Sequence, residues 1–227
     1  MPRFIVQGGK KLHGEVRVGG SKNAALPILC AAMMSQGEVV LKNVPDIADI
    51  HSMMKIMEAF GVKCDFTRDT LKIDARKLKK NTPPEQLVKK MRASILILGA
   101  LLPILKEIKM EFPGGCVLGK RSVKTHTHAL SDLGCEVIDE ASKLHIKGTK
   151  IKGARIVLSE LSVTATENAI MAAVLAEGES EIRLAAAEPH VQDLCHFLNA
   201  MGAKISGIGT NNIKIKGVKK LKGTEYK

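Results

Sequence analysis

One short phrase recurs three times along this chain and dictates how it can fold. It reads Phe60-Gly61-Val62-Lys63-Cys64, then Leu133-Gly134-Cys135-Glu136-Val137, then Met201-Gly202-Ala203-Lys204-Ile205, at a period of about seventy residues. Glycine after an apolar residue and before an alternating stretch marks the end of a helix, because it takes the left-handed conformation without a Cβ penalty. A brief alternating strand follows each one: Leu71–Ile73, Leu144–Ile146 and Ile213–Ile215. Three copies of one supersecondary unit are the simplest reading.

Each copy also carries an earlier helix that is apolar almost all round and rich in small residues: Ala24–Met34, Ala93–Leu105 and Asn168–Ala176. Such a helix is buried on every side. The second helices, near Asp46–Phe60, Val123–Leu133 and Val191–Met201, are mixed in polarity and lie partly outside. Short strands separate the two, at Glu38–Leu41, Ile108–Phe112 and Glu181–Leu184. The expected unit is strand, helix, strand, helix, strand, strand, spanning about residues 21–80, 88–150 and 154–220. Packed together, three such units put the apolar helices at the centre and the sheets outside, an α/β architecture. Pro27 and Pro103 fall inside apolar helical patterns and are expected to start or kink their helices.

Composition narrows the function classes. The longest apolar run, Ser94–Leu105, is interrupted by Pro103 and is too short to span a membrane. The start, Met1-Pro2-Arg3-Phe4, has no signal-peptide pattern. The five cysteines are odd in number and lack a C-x-x-C pair, which argues against a disulfide framework and a zinc site. A reducing, cytoplasmic compartment is expected. A net charge of +12 raises the question of nucleic acid, but aromatic residues are 3% of the chain with no Trp, so stacking platforms are lacking. The lysines of Lys214–Lys222 read as solvated surface. A phosphate-bearing small molecule fits the charge more economically.

The candidate chemistry lies in two places. Cys116 follows two glycines in Phe112–His126 and precedes Lys120, Arg121, Lys124 and His126, cations that lower a thiol pKa and attract an anion. Polar residues also stand at the starts of the three apolar helices: Gly19-Gly20-Ser21-Lys22-Asn23, Lys90-Met91-Arg92-Ala93-Ser94 and Leu161-Ser162-Val163-Thr164-Ala165-Thr166. Helix N-termini attract anions, and Lys22 and Arg92 add charge there. Ser21, Ser162 and Thr164 also read as N-caps and nothing more. The remaining cysteines, Cys30, Cys64, Cys135 and Cys195, read as small buried hydrophobes. His126 is either an organiser of the preceding loop or an ordinary helix-start residue; His128, His145, His190 and His196 carry no assigned role.

Gly19–Pro27, Met91–Ser94, and Pro113–Cys116 followed by Gly119, Arg121 and His126, three motifs in register over the whole chain, together resemble the enolpyruvyl transferases. The resemblance implies an inside-out α/β barrel. It is closest to the branch that moves the enolpyruvyl group of phosphoenolpyruvate to the 3-hydroxyl of UDP-N-acetylglucosamine with release of phosphate, the first committed step of peptidoglycan synthesis. It implies no cofactor or metal, and neither nucleic acid nor membrane as a partner. By that resemblance Cys116 is the proton donor and can attack phosphoenolpyruvate covalently, and fosfomycin alkylates it. Lys22 takes part in catalysis and holds phosphoenolpyruvate with Asn23 and Arg121. Asn23, Arg92, Arg121, Ser122, Val123, Lys124, Thr125, Glu160, Leu161, Ser162 and Val163 match positions that contact the sugar nucleotide.

Three positions depart from the family pattern. Ser122 replaces a typical proline, Lys124 an acidic residue, and Glu160 a frequent lysine near the diphosphate; Lys124 is the natural candidate to compensate Glu160. Family members are also roughly twice as long, with a second domain that closes over the substrates and supplies an aspartate base and further arginines. Residues 1–20 are expected to belong to that second domain as strand and linker, with 21–227 forming the first. The chain alone is therefore expected to be inactive, and a stand-alone sugar-nucleotide-binding or regulatory module is the alternative reading.

Overall fold

Gly61, Gly134 and Gly202 adopt φ of +84, +88 and +102°, each just past a helix, as the recurring phrase requires. In the computed structural model, which describes residues 3–79, 82–114, 122–140 and 143–227, the first unit comprises α1 (Lys22–Ala32), β1 (Glu38–Leu41), α2 (Ala48–Ala59), β2 (Lys63–Thr67) and β3 (Thr70–Asp74). The second has α3 (Glu85–Lys90), a 3-10 turn over Arg92–Ile95, α4 (Leu96–Leu105), β4 (Glu107–Glu111), α5 (Lys124–Asp132), β5 (Glu136–Glu140) and β6 (Lys143–Lys147). The third has β7 (Arg155–Val157), α6 (Val163–Val174), β8 (Glu179–Arg183), α7 (Pro189–Ala200), β9 (Lys204–Ser206) and β10 (Asn212–Lys216), and the chain finishes with β11 (Glu225–Tyr226).

Among the described residues the strands form three sheets, ordered β11-β1-β3-β2, β4-β6-β5 and β7-β8-β10-β9. The unit order expected from the sequence is complete only in the third. In the first sheet the outer parallel place that β7 holds beside β8 is taken by β11, which pairs with β1 from the other end of the chain. In the second sheet no described strand fills that place; α3 packs against β4 instead, which protects an otherwise open sheet edge. Burial alternates along β3, β4, β6 and β10, so Leu71 and Ile73, Ile108 and Met110, Leu144 and Ile146, and Ile213 and Ile215 all face inward.

The three apolar helices form the centre, with Ala24–Ala32, Leu96–Pro103 and Ala165–Val174 buried. Pro27 and Pro103 sit inside α1 and α4 rather than starting them; tertiary burial stabilises these helices more than one absent backbone hydrogen bond costs. α6 begins five residues before the expected Asn168, because Ser162 caps it and accepts from the Ala165 amide at 3.4 Å. α4 and α6 approach closely at Gly99. Its amide donates to Asn168 Oδ1 at 2.6 Å, and a Cβ added there would come within 2.4 Å of the Asn168 carbonyl oxygen. Glu167 is the buried carboxyl among the described residues; burial, then the charge of Glu188, raise its pKa well above the carboxylate range, which favours the neutral acid.

Cys30, Cys135 and Cys195 are buried and Cys64 is half-buried. Burial pushes the Cys135 thiol up to about 11 and is the main cause that pushes Cys195 up to about 12, so both stay protonated. No helix among the described residues is long and apolar enough to cross a membrane.

Candidate active site

Segments from two units meet at the start of α5. Arg92, in the turn that leads into α4, donates from Nη2 to the Ser122 carbonyl at 2.8 Å. The Ser122 hydroxyl accepts from the Lys124 amide at 3.1 Å and so covers a backbone donor in the first turn of α5. Thr125 Oγ1 donates to Glu160 Oε1 at 3.0 Å and lies 3.0 Å from Ser159 Oγ. His126 Nε2 lies 2.8 Å from Thr164 Oγ1. The second unit is thereby joined to the third just where α6 begins.

The electrostatics of the cluster follow from burial. His126 is 2% exposed. Burial first, and the Arg92 guanidinium second, push its pKa down to about 4, although the Val123 carbonyl works in the other direction. The imidazole is neutral at physiological pH. Arg92 remains the cation of this group, and the amides at the start of α6 add a positive dipole end. Ser162 is half-buried in its capping role, Val163 is half-buried, and Leu161 is exposed at the rim.

Lys22 and Asn23 open α1 behind the cap Ser21, which accepts from the Ala24 amide at 3.4 Å. Lys22 Nζ lies 3.2 Å from Asp49 Oδ2 in the first turn of α2, with both side chains about half exposed. This pair lies within the first unit, whereas the Thr125–Glu160 contact joins the second unit to the third. Cys116 and Arg121 lie outside the described residues.

The structure links these segments by contacts that the sequence did not signal. The Glu160 carboxylate takes the Thr125 hydroxyl, and the Lys124 backbone amide donates to the Ser122 hydroxyl. Asp49, Ser159 and Thr164 gave no signal as partners, since each lies tens of residues from the group it contacts. A concavity of about 960 Å³ on the outside of the third sheet is lined by Arg155, Glu181, Lys204 and Lys214. A counterpart in the first unit is lined by Glu38, Lys63, Lys72 and Asp74. A hollow that recurs with the repeat follows sheet curvature and does not mark a site.

Comparison with known proteins identifies the family of the chain. Residues 6–227 match the family described as EPSP synthase (3-phosphoshikimate 1-carboxyvinyltransferase), and the chain belongs to that family. Within it, the chain is 45% identical over 226 residues to UDP-N-acetylglucosamine 1-carboxyvinyltransferase 2 of Caldanaerobacter subterraneus subsp. tengcongensis, covering 100% of this chain and 54% of that protein. It is 46% identical over 228 residues to UDP-N-acetylglucosamine 1-carboxyvinyltransferase of Treponema denticola, covering 100% and 53%. The chain thus spans about half the length of the curated relatives it matches.

Among solved structures it is similar to the enolpyruvyl transferase NikO from Streptomyces tendae, with a TM-score of 0.83 at 20% identity over 97% of this chain and 52% of that one. EPSP synthase from Acinetobacter baumannii gives a TM-score of 0.75 at 21% identity over 93% and 48%. These two likenesses establish the shared α/β fold.

Proposed function

We propose that this chain is the cysteine-bearing half of a transferase that moves the enolpyruvyl group of phosphoenolpyruvate to the 3-hydroxyl of UDP-N-acetylglucosamine. In the addition step the methylene carbon gains a proton and the sugar hydroxyl, losing its own, bonds to the neighbouring carbon. Elimination then removes a proton from the former methylene and expels phosphate. Cys116 is the proton donor in this reading, Lys22, Asn23 and Arg121 hold phosphoenolpyruvate, and Arg92, Arg121, Ser122–Thr125 and Glu160–Val163 form the nucleotide side, with Asn23 at the border. General acid catalysis by a positioned group accounts for about 10²–10⁴ in rate, and the cations stabilise the charge that develops on phosphate and carboxylate.

The observation that carries this reading is the meeting of Arg92, the start of α5 and the start of α6 at one place, by contacts at 2.8 and 3.0 Å, in a chain 45% identical throughout to a carboxyvinyltransferase. The same reading makes the protein cytoplasmic, a contributor to peptidoglycan and a target of fosfomycin. Residues 1–20 belong in this reading to a second domain that completes the site, and no turnover is expected from the chain alone.

A first experiment is mass spectrometry after fosfomycin treatment, with and without UDP-N-acetylglucosamine, alongside phosphate release. Selective labelling of Cys116, enhanced by the nucleotide and without turnover, is the expected result. Indiscriminate labelling of all five cysteines counts against the reading. A second reading, a binding module without turnover, draws on Glu160, a carboxylate where the family has a cation. It predicts nucleotide binding and no phosphate release even when the second half of a relative is supplied.

A further inference from the structure

His126 occupies the third position of α5 and is almost wholly buried. A histidine that only filled space there would need apolar neighbours, yet its Nε2 is 2.8 Å from a hydroxyl of another unit, Thr164 Oγ1. The path continues inward. The Thr164 carbonyl accepts from Asn168 Nδ2 at 3.0 Å, and Asn168 Oδ1 accepts from the Gly99 amide at 2.6 Å. Three links therefore run from the first turn of α5, through α6, to the middle of α4.

The flanking residues show what such a path secures. Four residues before His126, the Ser122 carbonyl is held by Arg92; one residue before it, Thr125 is held by Glu160. Both contacts depend on where the first turn of α5 sits, and His126 is the fully buried member of that turn with a side-chain bond into α6. Its ring is neutral, offering one N–H and one lone pair, so it joins two helix starts without adding positive charge beside Arg92.

We infer that His126 is a positioning residue: through Thr164 it fixes the first turn of α5 on the start of α6, and thereby sets the relative placement of Arg92–Ser122 and Thr125–Glu160. The inference rests on the reading above of these segments as the nucleotide side of the site.

The test uses this chain with His126→Phe, His126→Gln, Thr164→Val and the His126→Phe/Thr164→Val pair. Hydrogen–deuterium exchange is followed over residues 122–133 and 159–170, and UDP-N-acetylglucosamine affinity by titration calorimetry. His126→Phe and Thr164→Val should each speed exchange in both windows and weaken nucleotide binding by about five- to tenfold, the usual scale for one lost hydrogen bond. The double variant should go no further than either single one, since both remove the same link. His126→Gln, whose amide reaches the Nε2 position, should recover most of the protection.

Unchanged exchange in His126→Phe, or effects of the two single changes that simply add, overturns the inference. If His126→Phe fails to fold, Thr164→Val with the ring intact carries the same test. If the parent chain does not bind UDP-N-acetylglucosamine, the functional reading fails, and the exchange arm still decides the role of His126.

Discussion

Residues 222–227 and residues 3–18 flank the same domain, yet the first stretch is stitched into the fold and the second stands clear of it. Near the C-terminus the Lys222 amide donates to the Met201 carbonyl at 2.8 Å, the Val40 amide to the Thr224 carbonyl at 3.0 Å and the Lys42 amide to the Tyr226 carbonyl at 2.8 Å. The Tyr226 ring packs edge-on against Phe197 at 5.2 Å, and its hydroxyl donates to Asp193 Oδ1 at 2.6 Å. By contrast Phe4, Ile5, Val6, Leu12, Val16 and Val18 are between 84% and 100% exposed. An apolar pattern states that a segment needs covering, and the partner edge decides whether it is covered. β1 offers such an edge to β11.

Removing the two stretches is the strongest way to break that contrast. A chain ending at Leu221 loses the backbone hydrogen bonds named above, the Tyr226–Asp193 bond and an aromatic contact, together about 3–5 kcal/mol. Its unfolding midpoint should fall by about ten degrees. Deleting residues 3–18 should leave the midpoint within about one degree, because no packing is lost. Equal losses in calorimetry would dissolve the distinction.

A smaller effect sharpens the closed end. Tyr226→Phe should cost about 1 kcal/mol at neutral pH. Burial first, then the Asp193 hydrogen bond and charge, raise the Tyr226 pKa above its ordinary value. The folded state therefore holds this proton more tightly than the unfolded chain, so the contribution is whole below about pH 10. It fades as the pH climbs past that point. Thermal unfolding from pH 8 to 11 should show the gap between parent and variant narrowing at the alkaline end; a constant gap would remove the ionisable hydroxyl from the account.

The smallest effect concerns the open end. Replacing Phe4 and Val16 together by lysine should reduce concentration-dependent self-association in sedimentation while moving stability by no more than about 0.5 kcal/mol. A clear loss of stability would show that the segment packs on the domain in solution.

Much of this architecture was legible because its determinants are local. The glycines at 61, 134 and 202 end helices through their own backbone freedom, and the apolar faces of α1 and α4 announce burial without reference to any partner. α6 was read late because its β-branched, polar start, Val163-Thr164-Ala165-Thr166, hides a helix that the Ser162 cap and tertiary burial stabilise. β11 was invisible, since two residues give no periodicity and their partner strand lies near the opposite end of the chain. The site divides the same way. Arg92 was named as a cation at a helix start, and Thr125 and Glu160 only through the family resemblance, whereas the bonds from Thr125 to Glu160 and from His126 to Thr164 exist only once two units pack. The Lys22–Asp49 pair is of the same kind.

The contact between Gly99 and Asn168 has a mechanical consequence. A side-chain amide of one helix grips the backbone of the next at 2.6 Å, with no space for even a methyl group between them, so α4 and α6 behave as a keyed shaft. Sliding one along the other by a single turn would strip both partners of their hydrogen bond inside the core and drive side chains into the gap. Helix shear, one of the common ways in which proteins relay motion, is thereby denied to the centre of this domain. Adjustment to a bound molecule has to be made at the rim, by the turns in front of the central helices, while the axis keeps its place.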